Sequence, residues 1–292
     1  MKWYHGLEPI VEENVRLADR TWYRLGGAAR YLCTPASLTE VCEVVKRAQD
    51  AQLPLKVLGG GANVLVRDEG FNGIVMQLGK DDFGHVTIDH NKVRADSAVD
   101  LPDLVRRTVN EGLAGLERMA GIPGTVGGAV RMNAGGRYGE IGDMVAAATV
   151  IAADGSLHEW DRSHMQFRYR GSNFVDVIVI DVTFELSFAN GDELRDHYRE
   201  IWEYKKSTQP FTRNNAGCMF KNPVGHYAGQ LIDRAGLKGE SCGGATVCEK
   251  HANFIVTDPD ARTSDILTLV DRIQSRVRDR YGVDLELEVD VW

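Results

Sequence analysis

The stretch GIPGTVGGAVRMNAGG, residues 121–136, is the most glycine-rich segment of this chain. A second cluster, GGGAN at 59–63, lies between two short apolar runs. Because glycine has no side chain, backbone N–H groups can approach a ligand closely, and successive N–H groups form an anion nest that suits a pyrophosphate. Neither cluster is a Walker A loop, since no G-K-[ST] follows, and neither shows G-x-G-x-x-G at a strand–helix junction. The alternative is that both clusters are tight turns that need positive φ.

Apolar periodicity on either side of these clusters predicts a mixture of helices and strands. Helical faces repeat over 38–50 and over 101–112. The segment 144–160 is typical of a hairpin that turns at Asp154–Gly155. Four strand segments are predicted: a strand–turn–strand at 55–66 and strands at 73–78, 92–99 and 175–186. The other predicted elements are a helix at 192–208, a short helix ended by glycine within YAGQLIDRAGLKG (227–239), a helix that Ser264 caps and Gly282 ends, and a closing strand at 283–292.

Composition and charge argue against several classes of protein. The net charge of −8 argues against a nucleic-acid binder. The N-terminal segment lacks the apolar core of a signal peptide, and the longest apolar run, VDVIVIDVTF, is broken by acids and too short to span a bilayer. The five cysteines include no C-x-x-C pair, so no zinc or other metal site is expected. We therefore expect a soluble, cytoplasmic protein with reduced thiols that binds neither nucleic acid nor membrane.

Seven motifs occur in the same order as in the UDP-N-acetylenolpyruvoylglucosamine reductase family. From about residue 15 to its end the chain closely resembles that family, and its length resembles the subclass that lacks an extra tyrosine-bearing loop. The motifs are TWYRLGGAARYL (21–32), VLGGGANVLVRDEGFNGIVMQL (57–78), GLERMAGIPGTVGGAVRMNAGG (115–136), FRYRGSNF (167–174), QPFTRNNAGCMFKNP (209–223), AGQLIDRAGLKG (228–239) and KHANFIV (250–256).

The resemblance implies an α+β flavoenzyme of three domains. Residues 1–80 and 81–207 would form the two parts of an FAD-binding fold similar to that of the vanillyl-alcohol oxidases. Residues 208–292 would form a smaller α+β domain that binds the UDP-sugar, with its last strand returning toward the flavin. A chain of 292 residues is long enough for two or three domains with their own cores.

The resemblance also implies the reaction and its participants. NADPH would reduce FAD, and the reduced flavin would pass a hydride to the enolpyruvyl group of UDP-N-acetylglucosamine enolpyruvate. The product would be UDP-N-acetylmuramate, a precursor of peptidoglycan. We expect an oxidoreductase that works as a monomer.

In the family, the FAD pyrophosphate lies on the two glycine loops. By that resemblance we predict that the cofactor-binding residues are Gly59, Gly60, Gly61, Ala62, Asn63, Val64, Gly121, Gly124, Thr125, Gly127, Gly128, Asn133 and Gly135.

Two charged residues match the family's catalytic positions. Arg170, in FRYRGS, is predicted to stabilise the charge that develops on the substrate carboxylate, since a guanidinium fork suits a carboxylate. Arg168 lies two residues away, and spacing alone does not separate the two. Glu288, in LELEV, is predicted to act beside Arg170, although Glu286 lies on the same face of an ideal strand.

Cys218 lies where many family members have a proton-donating serine. A thiol, with an ordinary pKa of about 8.5, is a much stronger acid than a hydroxyl. We predict that Cys218 protonates the substrate. A disulfide with Cys242 or Cys248 is the alternative, and it would disable the acid.

The remaining candidates and readings are less specific. The predicted substrate-binding residues are Tyr169, Lys221, Asn222, Gln230, His251 and Asn253. His251 could equally be a buried structural histidine. The alternative functions are an FAD oxidase or dehydrogenase of another small substrate, a thiol hydrolase built on Cys218 and His251, and an FAD-binding module without catalysis.

Overall fold

The computed structural model describes residues 2–292, which form an α+β protein. No helix in this range is both long and apolar enough to cross a membrane. Its α-helices are α1 (Leu38–Asp50), α2 (Lys80–Phe83), α3 (Leu101–Asn110), α4 (Val126–Met132), α5 (Gly191–Thr208), α6 (Ala228–Arg234) and α7 (Thr263–Tyr281).

The strands are short, and most of them pair antiparallel. They are β1 (Val11–Arg16), β2 (Ala28–Cys33), β3 (Leu55–Val57), β4 (Val64–Leu65), β5 (Phe71–Met76), β6 (Val86–Asp89), β7 (Lys92–Asp96), β8 (Leu113–Ala114), β9 (Gly135–Gly136), β10 (Gly139–Glu140), β11 (Val145–Ile151), β12 (Leu157–Asp161), β13 (Phe167–Arg168), β14 (Gly171–Ser172), β15 (Ile178–Glu185), β16 (Ser187–Phe188), β17 (Ser241–Cys242), β18 (Ala245–Val247), β19 (Ile255–Thr257) and β20 (Asp290–Val291).

The chain divides into two compact units, each built from separate segments. The second unit begins its long C-terminal segment at Lys205, close to the boundary predicted at 208. The three-domain division, with a boundary near residue 80, remains a prediction. The first unit comprises the described part of Met1–Asn14 with Arg30–Gly60 and Asn72–Tyr204, and the second comprises Val15–Ala29, Gly61–Phe71 and Lys205–Trp292.

The first unit is centred on an antiparallel sheet of five strands in the order β12–β11–β15–β7–β6. Helices α3 and α4 cover it. Leu104 and Val130 from these helices join Val182 and Phe184 of β15 in one buried core. The predicted hairpin over 144–160 is confirmed, because β11 and β12 pair around the Asp154–Gly155 turn.

A second sheet, in the order β1–β2–β5–β3, carries α1, and most of its residues belong to the first unit. The predicted helix over 38–50 is confirmed, with Ser37 as its N-cap. Its buried face includes Val41 and Val44, which pack with Ile74 and Met76 of β5. The predicted strand–turn–strand at 55–66 is not a hairpin, because β3 pairs with β5 while β4 pairs with β20.

The second unit combines the antiparallel sheet β17–β18–β19 with α6 and α7. Ile266, Leu269 and Ile273 of α7 pack with Val247 and Ile255 of this sheet. The pair β20–β4 is parallel and belongs to the same unit. The closing strand is therefore shorter than predicted, because its partner β4 is only two residues long.

The predicted cap of α7 is wrong. The helix begins at Thr263, and Ser264 already lies inside it. The carboxylate of Asp68 accepts from the N–H of Thr263 at 2.9 Å and from the N–H of Ser264 at 3.0 Å. Asp68, almost two hundred positions earlier in the chain, thus accepts from the first two N–H groups of α7. The sequence around the start of the helix does not predict this contact. Gly282 ends the helix as predicted, with φ of +66°.

Candidate active site

The first glycine cluster, 59–63, presents a row of available backbone donors. Within residues 2–292, no oxygen accepts a hydrogen bond from any of its five N–H groups. Gly61 adopts a left-handed φ of +65°, and a Cβ there would lie 2.1 Å from the carbonyl oxygen of Arg20. Ala62 and Asn63 then lead into β4, which begins at Val64. Successive unengaged N–H groups beside a left-handed residue form the anion nest that the sequence predicts for this loop.

The two glycine clusters approach each other within the first unit. A Cβ on Gly59 would lie 2.5 Å from Oγ1 of Thr125, and a Cβ on Gly60 would lie 2.9 Å from Cα of Gly124. Gly124 has a φ of +110° and Gly121 one of +72°, which L-residues with side chains rarely adopt. Glycine at 59 and 60 therefore permits the close contact of two loops.

Two N–H groups of the second cluster are engaged by the protein itself. The N–H of Gly127 donates to the carbonyl of Ser97 at 3.0 Å. The N–H of Gly128 donates to Oγ1 of Thr125, the N-cap of α4, at 3.4 Å. The protein itself satisfies these two donors, so Gly127 serves packing: a Cβ there would lie 2.8 Å from Cβ of Ser97.

Ser97 gives this region one unsatisfied polar group. Its Oγ is buried and has no hydrogen-bond partner among the described residues. A buried hydroxyl without a partner carries a free-energy cost unless a ligand or water satisfies it. This hydroxyl, which lies beside Gly127, and the N–H groups of Gly59 and Gly60 are polar groups of the first unit that a bound dinucleotide can satisfy. The residues fit FAD.

Arg170 lies in the two-residue turn between β13 and β14 and folds back into the first unit. Its side chain is only 14% exposed. One guanidinium nitrogen donates to the carbonyl of Gly135 at 2.9 Å, and another lies 3.8 Å from a carboxylate oxygen of Glu140. Arg168, one strand position before the turn, is exposed. The structure therefore separates the two arginines that sequence spacing leaves equivalent.

Asn133, predicted to bind the cofactor, has an interior role in the structure. It is fully buried and adopts a left-handed φ of +47° at the C-cap of α4. Its amide donates to the carboxylate of Glu140 at 2.5 Å and to the carbonyl of Arg168 at 3.0 Å, and its Oδ1 accepts from the N–H of Gly142 at 3.0 Å. The side chain is committed to protein groups, so we assign it to bracing this part of the unit.

In the second unit, the loop that carries Cys218 is pinned by Asn253. The amide of Asn253 accepts from the N–H of Phe220 at 3.0 Å and donates to the carbonyl of Phe220 at 2.8 Å. Its backbone carbonyl accepts from the N–H of Met219 at 2.7 Å. Asn253 is 3% exposed and Phe220 is fully buried. Asn253, predicted to contact substrate, pairs with both backbone groups of Phe220, as a neighbouring strand would.

Cys218 itself is partly buried and packs against Cys248, Phe254 and Val256. The residue before it, Gly217, has a φ of +79°. No disulfide joins any two cysteines of the described chain. The thiol is thus held at a turn against an apolar surface, on a loop whose next two residues are fixed.

The C-terminal segment holds Glu288 beside the same loop. The N–H of Glu288 donates to the carbonyl of Met219 at 2.9 Å, and its carbonyl accepts from the side chain of Asn63 at 3.0 Å. Glu286 is exposed and its side chain pairs with Lys221. Glu286 is therefore engaged at the surface, whereas the backbone of Glu288 is bonded to both Met219 and Asn63.

The remaining predicted substrate residues are spread over both units. In the second unit, Oδ1 of Asn222 accepts from the N–H of Ala228 at the start of α6, and Gln230 of that helix is exposed. Nδ1 of His251 accepts from the N–H of Asn253 at 3.2 Å, and burial lowers the pKa of its imidazole. A neutral imidazole that accepts through Nδ1 carries its proton on Nε2. Tyr169, in the first unit, is exposed beside Arg170.

Sequence reasoning missed Glu140 and the structural role of Asn253. Glu140 follows a glycine in RYGEIGD, and nothing in that pattern distinguishes it from a surface carboxylate. Its importance depends on the pairing of β9 with β10, which places it opposite Gly135. Only that register brings its carboxylate to Arg170.

Two family models match most of the chain. Residues 209–292 match the model of the C-terminal domain of UDP-N-acetylenolpyruvoylglucosamine reductase, and residues 29–161 match that of an FAD-binding domain. The predicted FAD-binding α+β fold is confirmed.

Curated relatives and a solved structure cover almost the whole chain. UDP-N-acetylenolpyruvoylglucosamine reductase 2 of Symbiobacterium thermophilum is 41% identical over 94% of this chain and 90% of its own length. The reductase of Moorella thermoacetica is 41% identical over 98% and 95%. The crystal structure of the Thermus caldophilus reductase has a TM-score of 0.83 and 38% identity, covering 97% of this chain and 98% of that one. The chain belongs to the UDP-N-acetylenolpyruvoylglucosamine reductase family and binds FAD.

Proposed function

We propose that this protein uses NADPH to reduce UDP-N-acetylenolpyruvylglucosamine to UDP-N-acetylmuramate, a precursor of peptidoglycan. Bound FAD supplies a hydride carrier between the two substrates. The enol ether gains a hydride at its β-carbon and a proton at its α-carbon, and NADPH becomes NADP⁺. Membership of the reductase family and the FAD-binding domain support this reaction.

The protein contributes a proton and a fixed positive charge. Cys218 is the proton donor: its S–H bond breaks, the proton goes to the α-carbon, and the thiolate takes a new proton from solvent. Arg170 stabilises the negative charge that builds on the substrate carboxylate. Glu288 is placed by the same loop that carries Cys218 and orients groups around the reacting carboxylate.

The observation that carries the proton-donor role is the rigidity of the Cys218 loop. Asn253 makes three hydrogen bonds to the two residues that follow the thiol, and Glu288 makes a fourth. A general acid must be held within hydrogen-bond reach of the atom it protonates, which a loop fixed at four points can do.

The reaction is tested by two successive additions under anaerobic conditions. The purified protein should be yellow, and NADPH should bleach the flavin absorbance. Adding UDP-N-acetylenolpyruvylglucosamine should then restore it and yield UDP-N-acetylmuramate, as judged by mass spectrometry. A protein that is bleached by NADPH but not reoxidised by the UDP-sugar would contradict the proposal and favour an oxidoreductase of another substrate.

A further inference from the structure

The carboxylate of Glu140 lies between two groups of the first unit. One of its oxygens is 3.8 Å from a guanidinium nitrogen of Arg170. The other accepts a hydrogen bond from Nδ2 of Asn133 at 2.5 Å. Both partners are themselves inside the unit, since Asn133 is fully buried and Arg170 nearly so. A carboxylate in such a place is costly unless it has partners, and here it has a hydrogen bond from Asn133 and the nearby positive charge of Arg170.

Asn133 fixes the position of that carboxylate. Asn133 is itself held in three further ways. Its backbone forms the left-handed C-cap of α4, its Oδ1 accepts from the N–H of Gly142, and its Nδ2 donates to the carbonyl of Arg168. Arg168 belongs to β13, the strand that leads into the turn of Arg170. Asn133 thus hydrogen-bonds both to Glu140 and to the strand that precedes Arg170.

The guanidinium of Arg170 contacts two residues that are paired with each other across strands β9 and β10. Gly135 and Glu140 are directly opposite each other in that pair, and Arg170 contacts both, the carbonyl of one and the carboxylate of the other. Any side chain at 135 would disturb the pairing of Gly135 with Glu140, because its Cβ would lie 2.3 Å from the carbonyl oxygen of Gly139.

The backbone of Arg170 also requires support. Its φ of +53° is in the left-handed region, which is strained for a residue with a side chain. The pairing of β13 with β14 closes the turn, and the side chain adds contacts with Gly135 and Glu140. The contact with Gly135 is to a neutral carbonyl, whereas the contact with Glu140 joins opposite charges.

We propose that Glu140 is a positioning residue that orients the guanidinium of Arg170 toward the substrate carboxylate. This inference rests on the proposed function, in which Arg170 stabilises the charge of the reduced intermediate. Glu140 touches neither cofactor nor substrate in this role. It acts by fixing the edge of the guanidinium that contacts Gly135 and Glu140.

The first test is Glu140→Gln, which keeps the size of the side chain and an acceptor for Asn133 but removes the charge. The rate at which UDP-N-acetylenolpyruvylglucosamine reoxidises the reduced flavin should fall about 10- to 100-fold, because a small misplacement of a catalytic group costs that much. Reduction of the flavin by NADPH should stay within about twofold of wild type. Asp143→Asn is the matched control, since Asp143 accepts the backbone N–H of Glu140 at 3.3 Å and leaves the pair with Arg170 intact.

A double-mutant cycle separates positioning from a general structural effect. In an Arg170→Ala background, Glu140→Gln should change the reoxidation rate by less than about twofold, because the group it positions is absent. An equal fall in both backgrounds, or an equal fall in flavin reduction by NADPH, would overturn the proposal.

A second readout does not depend on the reaction. In isotope-labelled protein, NMR should resolve the guanidinium nitrogens of Arg170, and Glu140→Gln should speed rotation of that group about tenfold, with Arg170→Lys identifying the signals. Unchanged rotation would refute the positioning role even if the UDP-sugar proved not to be the substrate. Failure of wild-type reoxidation with a clear NMR effect would instead refute the proposed function and leave Glu140 as the partner that orients Arg170.

Discussion

Replacing Asn253 by alanine should destabilise the second unit more than most single substitutions. The change removes two hydrogen bonds to Phe220, of 3.0 and 2.8 Å, and leaves both backbone groups of a fully buried residue without partners. Each buried unsatisfied group costs about 1–3 kcal/mol, so the two together should cost about 2–6 kcal/mol. The contact between the Asn253 carbonyl and the N–H of Met219 is retained, so the loop should loosen rather than detach.

The assay combines urea unfolding with amide hydrogen exchange. The variant should unfold at lower urea, and the N–H groups of Met219 and Phe220 should exchange faster by a factor that matches the loss of stability. Asn214→Ala is the control from the same unit, because Asn214 joins the fold through its backbone carbonyl, which accepts from Thr257. A loss below about 1 kcal/mol for Asn253→Ala, with unchanged exchange at Phe220, would refute this account of the loop.

Three further predictions concern the helix cap, pH and the cofactor. Asp68→Ala removes the acceptor of two N–H groups at the start of α7 and should cost about 1–2 kcal/mol in urea unfolding. Burial lowers the pKa of His251, so the stability its neutral ring contributes is full above the ordinary pKa near 6.5 and declines as pH falls below it. His251→Gln should therefore flatten the fall of the urea midpoint between about pH 7.5 and 5.5. Gly60→Ala places a Cβ 2.9 Å from Cα of Gly124 and should weaken FAD binding at least about tenfold in a fluorescence titration, whereas Gly136→Ala, whose Cβ meets nothing within 4 Å, should not.

The sequence predicts local elements well where a pattern and its caps agree. The helix over 38–50 has an apolar face and a serine cap, and the hairpin at Asp154–Gly155 has a turn sequence that favours it. Both are found as predicted. The cap of α7 was mispredicted because the acceptor, Asp68, comes from a distant segment that only the tertiary structure brings to Thr263.

In the candidate site, too, the sequence predicts single residues but not the long-range contacts around them. Family motifs point to Arg170 and Cys218, but motifs do not reveal what holds them. Glu140 and Asn253 hold them through a strand register and through a buried amide that pairs with backbone. The two glycine clusters look alike in sequence, yet the N–H groups of Gly127 and Gly128 donate to protein oxygens, whereas those at 59–63 have no acceptor within residues 2–292. Which donors remain depends on long-range acceptors that no local pattern encodes.

The most direct test of the proposed mechanism is the flavin reoxidation rate in variants of Cys218. Cys218→Ala should still bind FAD and be reduced by NADPH at the wild-type rate, but reoxidation by UDP-N-acetylenolpyruvylglucosamine should slow by about 10²- to 10⁴-fold. Cys218→Ser should keep substantial activity, because a hydroxyl can donate the same proton, and Cys242→Ala controls for loss of another partly buried thiol. Reoxidation of Cys218→Ala at the wild-type rate, or loss of its reduction by NADPH with FAD still bound, would contradict the assignment of Cys218 as the proton donor.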